Sequence, residues 1–152
     1  MSFWRSLKIS SAALYAQRLR MDVISNNVAN AETTSVNGQK GVPYQRQDVV
    51  FTTDGKPTFL ANLMLVNRRL GEKGVQLDGV KVSKLVTDET AGPRVYDPTH
   101  PDAGADGYVN YPNVNLAVEM TNMLSATRSY EASLSVVDQA RAMAQKALEI
   151  GR

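Results

Sequence analysis

The 152-residue sequence contains no cysteine. That excludes disulfides, thiolate metal sites and a cysteine nucleophile. A single histidine, His100, leaves little for a zinc site, which needs three or four donors. No stretch approaches roughly 18 uninterrupted apolar residues, so no membrane-spanning helix is expected. The opening MSFWRSLKISSAALYAQ lacks a run of roughly 7–15 apolar residues, because Arg5 and Lys8 break it up. A cleaved leader is therefore not expected, and export, if it occurs, needs another signal. Lysine and arginine total 17 against 15 acidic residues, an excess too small to argue for nucleic acid. Glycine and proline are missing from residues 1–37 and from 113–150, while all six prolines fall between. Two helix-permitting ends thus flank a turn-rich centre. With 43% apolar and 21% charged residues, the chain is neither wholly disordered nor membrane-like in composition.

In the N-terminal segment Leu7, Leu14, Met21 and Val28 recur every seven residues, with Phe3 and Ile24 on the same side. The spacing predicts a helix over 3–29, roughly 40 Å long, ending in the Ser25–Asn30 stretch, where Asn and Ser favour caps and turns. The C-terminal segment carries two such rows. Leu116, Met123, Tyr130, Val137 and Ala144 form the first; Met120, Thr127, Leu134, Arg141 and Leu148 form the second, with Arg141 the one charged intrusion. Together they have the 3–4 alternation of a coiled-coil seam along a helix of roughly 54 Å over 115–150. Average globular helices have about 11–12 residues. Two helices this long can pair, as a helical hairpin, yet Ala140, Ala142, Met143, Ala147 and Ile150 widen the apolar face beyond one stripe. The surplus predicts packing against copies or related chains.

The centre reads as a small, irregular β region and not a barrel. An extended segment runs over 43–51; TFLANLMLV at 58–66 fits either a strand or a buried helical turn. Val75, Leu77, Val80 and Val82 suggest a strand whose phase slips at Gly79, and Pro93–Tyr96 and Gly107–Val109 are short strands. Asp97, Asp102 and Asp106 around His100 invite a calcium reading. The spacing is not that of an EF-hand, and Pro98, Pro101, Gly104 and Gly107 are ordinary turn chemistry. No phosphate loop, dinucleotide fingerprint or local catalytic triad is present, and Arg68-Arg69 has no interleaved aromatics. Neither an enzyme, a metal nor a cofactor is expected.

Two blocks carry a resemblance. MDVISNNVANAETT at 21–34, with Asn26, Asn27, Asn30, Thr33 and Thr34, leads into Gly41-Val42-Pro43-Tyr44-Gln45-Arg46-Gln47. The second runs from Val95 through Asp97, Pro98, His100, Pro101, Asp102, Gly107 and Tyr108 to Val109, then Tyr111, Pro112, Asn113, Val114 and Asn115, and on through Glu119-Met120, Asn122-Met123 and Arg128–Glu131. These blocks resemble the bacterial flagellar basal-body rod family, and the second points to its proximal-rod members. The stretch ANLMLVNRRLG, more apolar and basic than that pattern, and Gly104, where another Asp is usual, depart from it.

The resemblance implies a mainly α fold in which 1–30 and 113–152 form a discontinuous core of long, coiled-coil-like helices, with 31–112 as an extended segment and small β-rich insert. It implies a structural subunit that packs by its helices with other rod proteins and copies of itself and transmits torque. It also implies export, without a cleaved signal peptide, by the flagellar type III apparatus. The expected assembly residues are Leu7, Leu14, Met21, Ile24, Val28, Leu116, Met120, Met123, Tyr130, Leu134, Val137, Ala144 and Leu148. The competing reading from the residues alone is a soluble helical adaptor or secretion chaperone that closes on a single client protein. A rod subunit differs in making heterologous contacts that propagate.

Overall fold

The computed structural model describes residues 3–36, 38, 40–53 and 79–150. The possible strand or helical turn at 58–66 and the strand residues Val75 and Leu77 lie outside the described residues. The element order is α1 (Phe3–Ala29), β1 (Gln47–Thr53), β2 (Val80–Thr87), β3 (Arg94–Tyr96), β4 (Tyr108–Asn110) and α2 (Leu116–Ile150). The fold is thus mainly helical, with small antiparallel strands between an N-terminal and a C-terminal helix.

Helix α1 runs without glycine or proline and stops where an asparagine side chain adds a second donor to the last helical carbonyl. Asn30 Nδ2 donates to the Asn26 carbonyl at 2.9 Å, and the Asn30 amide donates to the same oxygen at 3.1 Å. The chain then turns through Ala31 N to Val28 O and Thr33 N to Asn30 O. At the other end of the connection, Asn115 caps α2: its Oδ1 accepts the amides of Ala117 at 3.0 Å and Val118 at 3.2 Å. Thr121, Thr127, Ser129 and Ser133 inside α2 are absorbed by back-bonding to the carbonyl four residues earlier.

The helices run antiparallel. Asn27 of α1 meets Glu119 of α2, and Met21 meets Thr127, so positions descend along one helix as they rise along the other. Strands β1 and β2 pair antiparallel from Gln47↔Thr87 to Thr53↔Val80, with a register shift between Val50 and Phe51 that leaves Ser83 as the extra residue. The phase slip expected between Leu77 and Val80 falls at the edge of the described residues, and the bulge at Ser83 is a separate irregularity. Gly79 instead permits a close approach. A Cβ there would lie 3.2 Å from the Ala12 side chain, so its backbone sits close on α1. The ladder starts beside Asn27 and ends beside Ala12 and Ile9. Helix α1 thus lies between α2 and the β1–β2 ladder, and Ala16, Val23 and Ile24 are buried there.

Strands β3 and β4 form a separate two-stranded pair, Arg94↔Asn110 to Tyr96↔Tyr108. Val109 buries its side chain, Tyr96 and Tyr108 meet edge to face at 5.2 Å, and the Arg94 guanidinium lies over the Tyr108 ring while binding Asp106 at 2.7 Å.

Candidate assembly surface and its polar anchor

The two rows predicted on α2 part company. Met123, Tyr130, Val137 and Ala144 are half-buried on the side of α1. The row that completes the pairing face is Glu119, Ala126, Ser133 and Ala140, of which Glu119, Ala126 and Ala140 are buried. The predicted second row lies to the other side: Met120 is 60% exposed, Leu134 44% and Leu148 75%, with Arg141 also exposed and Thr127 half-buried. Leu116, at the first turn, is exposed as well. The cause is steric. Small side chains let two helix backbones approach, so the pair takes alanine and serine where hydrophobic periodicity selects leucine and methionine. On α1, Ile24 is buried and Leu7, Leu14, Met21 and Val28 are half-buried. Trp4 and Tyr15 stand exposed on its outer side.

One buried polar cluster ties α1, the β1 entry and α2 together. Asn27 and Glu119 are each only 1% exposed. Asn27 Nδ2 donates to the Gln47 carbonyl at 2.8 Å and to Glu119 Oε2 at 3.4 Å. Its Oδ1 accepts the Gln47 amide and the Tyr44 hydroxyl, both at 3.0 Å. Both donors and both acceptor positions of the amide are in use, so a buried asparagine costs nothing in unmet hydrogen bonds. Arg46 Nε donates to Glu119 Oε1 at 2.8 Å, and its Nη2 lies 3.6 Å from Asp48. The Glu119 bond raises the Arg46 guanidinium above its ordinary value. Burial, then the Glu119 charge, raises the Tyr44 hydroxyl. In the sequence, Arg46, Gln47 and Glu119 stand only within longer signature stretches, with no role of their own. The available signal is a carboxylate seven residues before Ala126, in a row that is otherwise small and neutral.

The remaining signature residues build turns. Asp97 Oδ1 accepts the Thr99 amide at 3.0 Å and its hydroxyl at 2.6 Å, which lowers the Asp97 carboxyl below its usual range. His100 Nδ1 accepts the Asp102 amide at 3.1 Å, and Asp102 Oδ2 accepts the Thr34 hydroxyl at 2.7 Å. That last bond fastens the 97–107 loop to the chain leaving α1. Gly107 has φ of 75°, and a Cβ there would press on the Tyr96 ring at 2.7 Å. Pro98 and Pro101 flank the His100 turn, Pro112 is buried, and Asn113 Nδ2 reaches Asp88 at 3.5 Å. Thr33 Oγ1 donates to Asn30 Oδ1 at 3.2 Å. Among the described residues, no three histidine or acidic side chains converge as metal ligands, and no helix is long and apolar enough to cross a membrane. An open groove of about 240 Å³ lies between Tyr44, Asp88, Gly92 and Tyr111. Its Asp88 is already engaged by the Thr90 amide.

Comparison with known proteins matches these elements. Residues 7–35 match the family described as flagella basal body rod protein, and 105–150 match the C-terminal family of flagellar basal body rod FlgEFG proteins. The chain is 44% identical to the flagellar basal-body rod protein FlgC of Bacillus subtilis, with all of both chains covered. It is 37% identical to FlgC of Borreliella burgdorferi, over 99% of this chain and 98% of that one. It is also 37% identical to FlgC of Salmonella typhimurium, over 95% and 94%. Full-length identity at this level leaves the single-client adaptor behind: the chain belongs to the FlgC family and is a structural subunit of the bacterial flagellar basal-body rod, not an enzyme.

Proposed function

We propose that this subunit enters the proximal rod through the helix faces that its own fold leaves uncovered. Residues 1–30 and 113–152 act as the helical core, and 31–112 as the insert beside it. The observation that carries this reading is the row Met120, Leu134 and Leu148, exposed in the single chain at 60%, 44% and 75%. Large apolar side chains at every second heptad, with Thr127 and Arg141 between them in the row, suit a long partner helix, supplied by another rod protein or a second copy, packed in coiled-coil fashion. From 120 to 148 the row is roughly 42 Å long, so many weak contacts act together when torque is passed along it. Covering each such side chain contributes on the order of 1–2 kcal/mol. Delivery through the flagellar type III apparatus as an unfolded chain completes the reading.

Leu134→Asp tests it, because a carboxylate in a packed apolar contact costs several kcal/mol or forces the contact open. The exported amount of the variant is expected to stay normal, while its amount in purified basal bodies falls at least tenfold and motility is lost. Normal incorporation with normal motility would remove Leu134 from the assembly surface.

A further inference from the structure

We propose that the Asn27–Tyr44–Arg46–Glu119 cluster is a register lock, and that residues 43–48 are the strap that sets it by fixing which turn of α2 meets which turn of α1. The rest of the pairing face needs such a device. Past Glu119 it consists of Ala126, Ser133 and Ala140 in one row and Met123, Tyr130, Val137 and Ala144 in the other. Both rows repeat every seven residues, and the first is uniformly small. A slide of one heptad therefore puts small side chains where small ones were and offends no charge. Glu119 is the one charged residue in these rows, and only the observed register gives its carboxylate both Arg46 Nε at 2.8 Å and Asn27 Nδ2 at 3.4 Å.

The strap and the register are one event. Asn27 holds both the amide and the carbonyl of Gln47, the way a neighbouring strand would, and accepts the Tyr44 hydroxyl. Those bonds lay the strap along the end of α1 and so carry the Arg46 guanidinium to Glu119. A slide by one heptad toward the start of α1 would bring Glu119 near Arg20 and save the charge. It would also strip Asn27 and Arg46 of their shared partner. A buried polar group at a single seam position setting register is a known use of such residues. Here the polar group is completed by a segment outside both helices.

The absence of native cysteine makes the test clean, since introduced pairs are the only thiols. Thr127 Oγ1 lies 3.7 Å from Met21 Sδ, so Met21→Cys with Thr127→Cys reports the observed register. Met21→Cys with Met120→Cys, and Met21→Cys with Leu134→Cys, report the two one-heptad slides. In the full-length chain, oxidised dilute and read as intramolecular disulfide by gel mobility, the first pair is expected to close and the other two to stay open. With Asn27→Ala and Glu119→Ala added, one or both slide reporters are expected to close to at least a tenth of the first pair's yield, with helical circular dichroism retained. Slide reporters that stay open in that helical background overturn the proposal, as do slide reporters that already close with the lock intact. Where the double alanine variant loses its helix, Arg46→Gln carries the same test: slide closure above the lock-intact level supports the lock, and none overturns it.

Discussion

Replacing Asn27 by alanine removes the side chain that holds both backbone groups of Gln47. Three bonds of 2.8, 3.0 and 3.0 Å disappear, together with the longer one to Glu119. Each of the three contributes roughly 1 kcal/mol net, so the loss is about 3 kcal/mol. The full penalty for orphaned groups does not apply, because Tyr44 and Gln47 are only half-buried and water can reach them. With a urea slope of about 2 kcal/mol per molar, the unfolding midpoint falls by roughly 1.5 M. Asn26→Ala supplies the control one position away: Asn26 is exposed, and its replacement is expected to stay within about 0.5 kcal/mol. Urea melts of the purified full-length chain followed by circular dichroism, with exchange of the Gln47 amide as the local probe, measure both. Equal midpoints for the two variants, or an unchanged exchange rate at Gln47, would refute the assignment of Asn27 as the anchor of the strap.

Asn115→Ala leaves the Ala117 and Val118 amides without their acceptor and is expected to cost about 1 kcal/mol, seen as a lower thermal midpoint. Gly92→Ala places a Cβ against the Tyr111 carbonyl and within 2.8 Å of the Pro112 and Asn113 backbone; it is expected to cost about 2 kcal/mol or more and to disturb Asn113 amide exchange first. The Asp97 carboxyl, lowered by the Thr99 hydroxyl and amide, binds fewer protons folded than unfolded. Its support of the turn is present above the usual carboxylate value of 3.8 and is lost as pH falls through the lowered one, so the Thr99 amide resonance is expected to shift with a midpoint below 3.8.

Much of this architecture is legible in the sequence because it rests on local signals. The glycine- and proline-free ends become α1 and α2, the asparagines near 30 end one helix, and the short strands at 94–96 and 108–110 overlap the predicted stretches. The choice of row on α2 is not legible. Hydrophobic periodicity selects the bulkiest side chains, and those are Leu134 and Met120. Close helix approach selects the smallest, and those are Ala126, Ser133 and Ala140. The two criteria point to faces roughly 80–100° apart, since each residue advances the helix by about 100°. The polar anchor is hidden for another reason: its partners lie 17 to 92 residues apart along the chain, where no periodicity links them. The bulge at Ser83 likewise depends on pairing with β1, which a glycine at 79 does not announce.

The uneven cover of the two helices bears on where folding and assembly can be separated. Helix α1 is packed by α2 on one side and by the β1–β2 ladder on the other, so a substitution on either packed face disturbs the monomer first. Helix α2 packs on α1 alone among the described elements, apart from Glu119 reaching the strap. Its small row is committed inside the chain and its large row is not. Under the proposed assembly reading, one helix therefore addresses two partners with two kinds of side chain: small ones where its own partner must come close, large ones where a neighbour supplies the missing contact. The split has a directional consequence. Enlarging Ala126 strains the subunit itself, whereas shortening Leu134 or Leu148 leaves the subunit folded and weakens only what it joins. A lock at the Glu119 end then matters beyond the monomer. A one-heptad slide would leave the large row intact but displace it by roughly 10 Å along the axis, at about 1.5 Å per residue, so a well-folded subunit would meet its neighbours out of step.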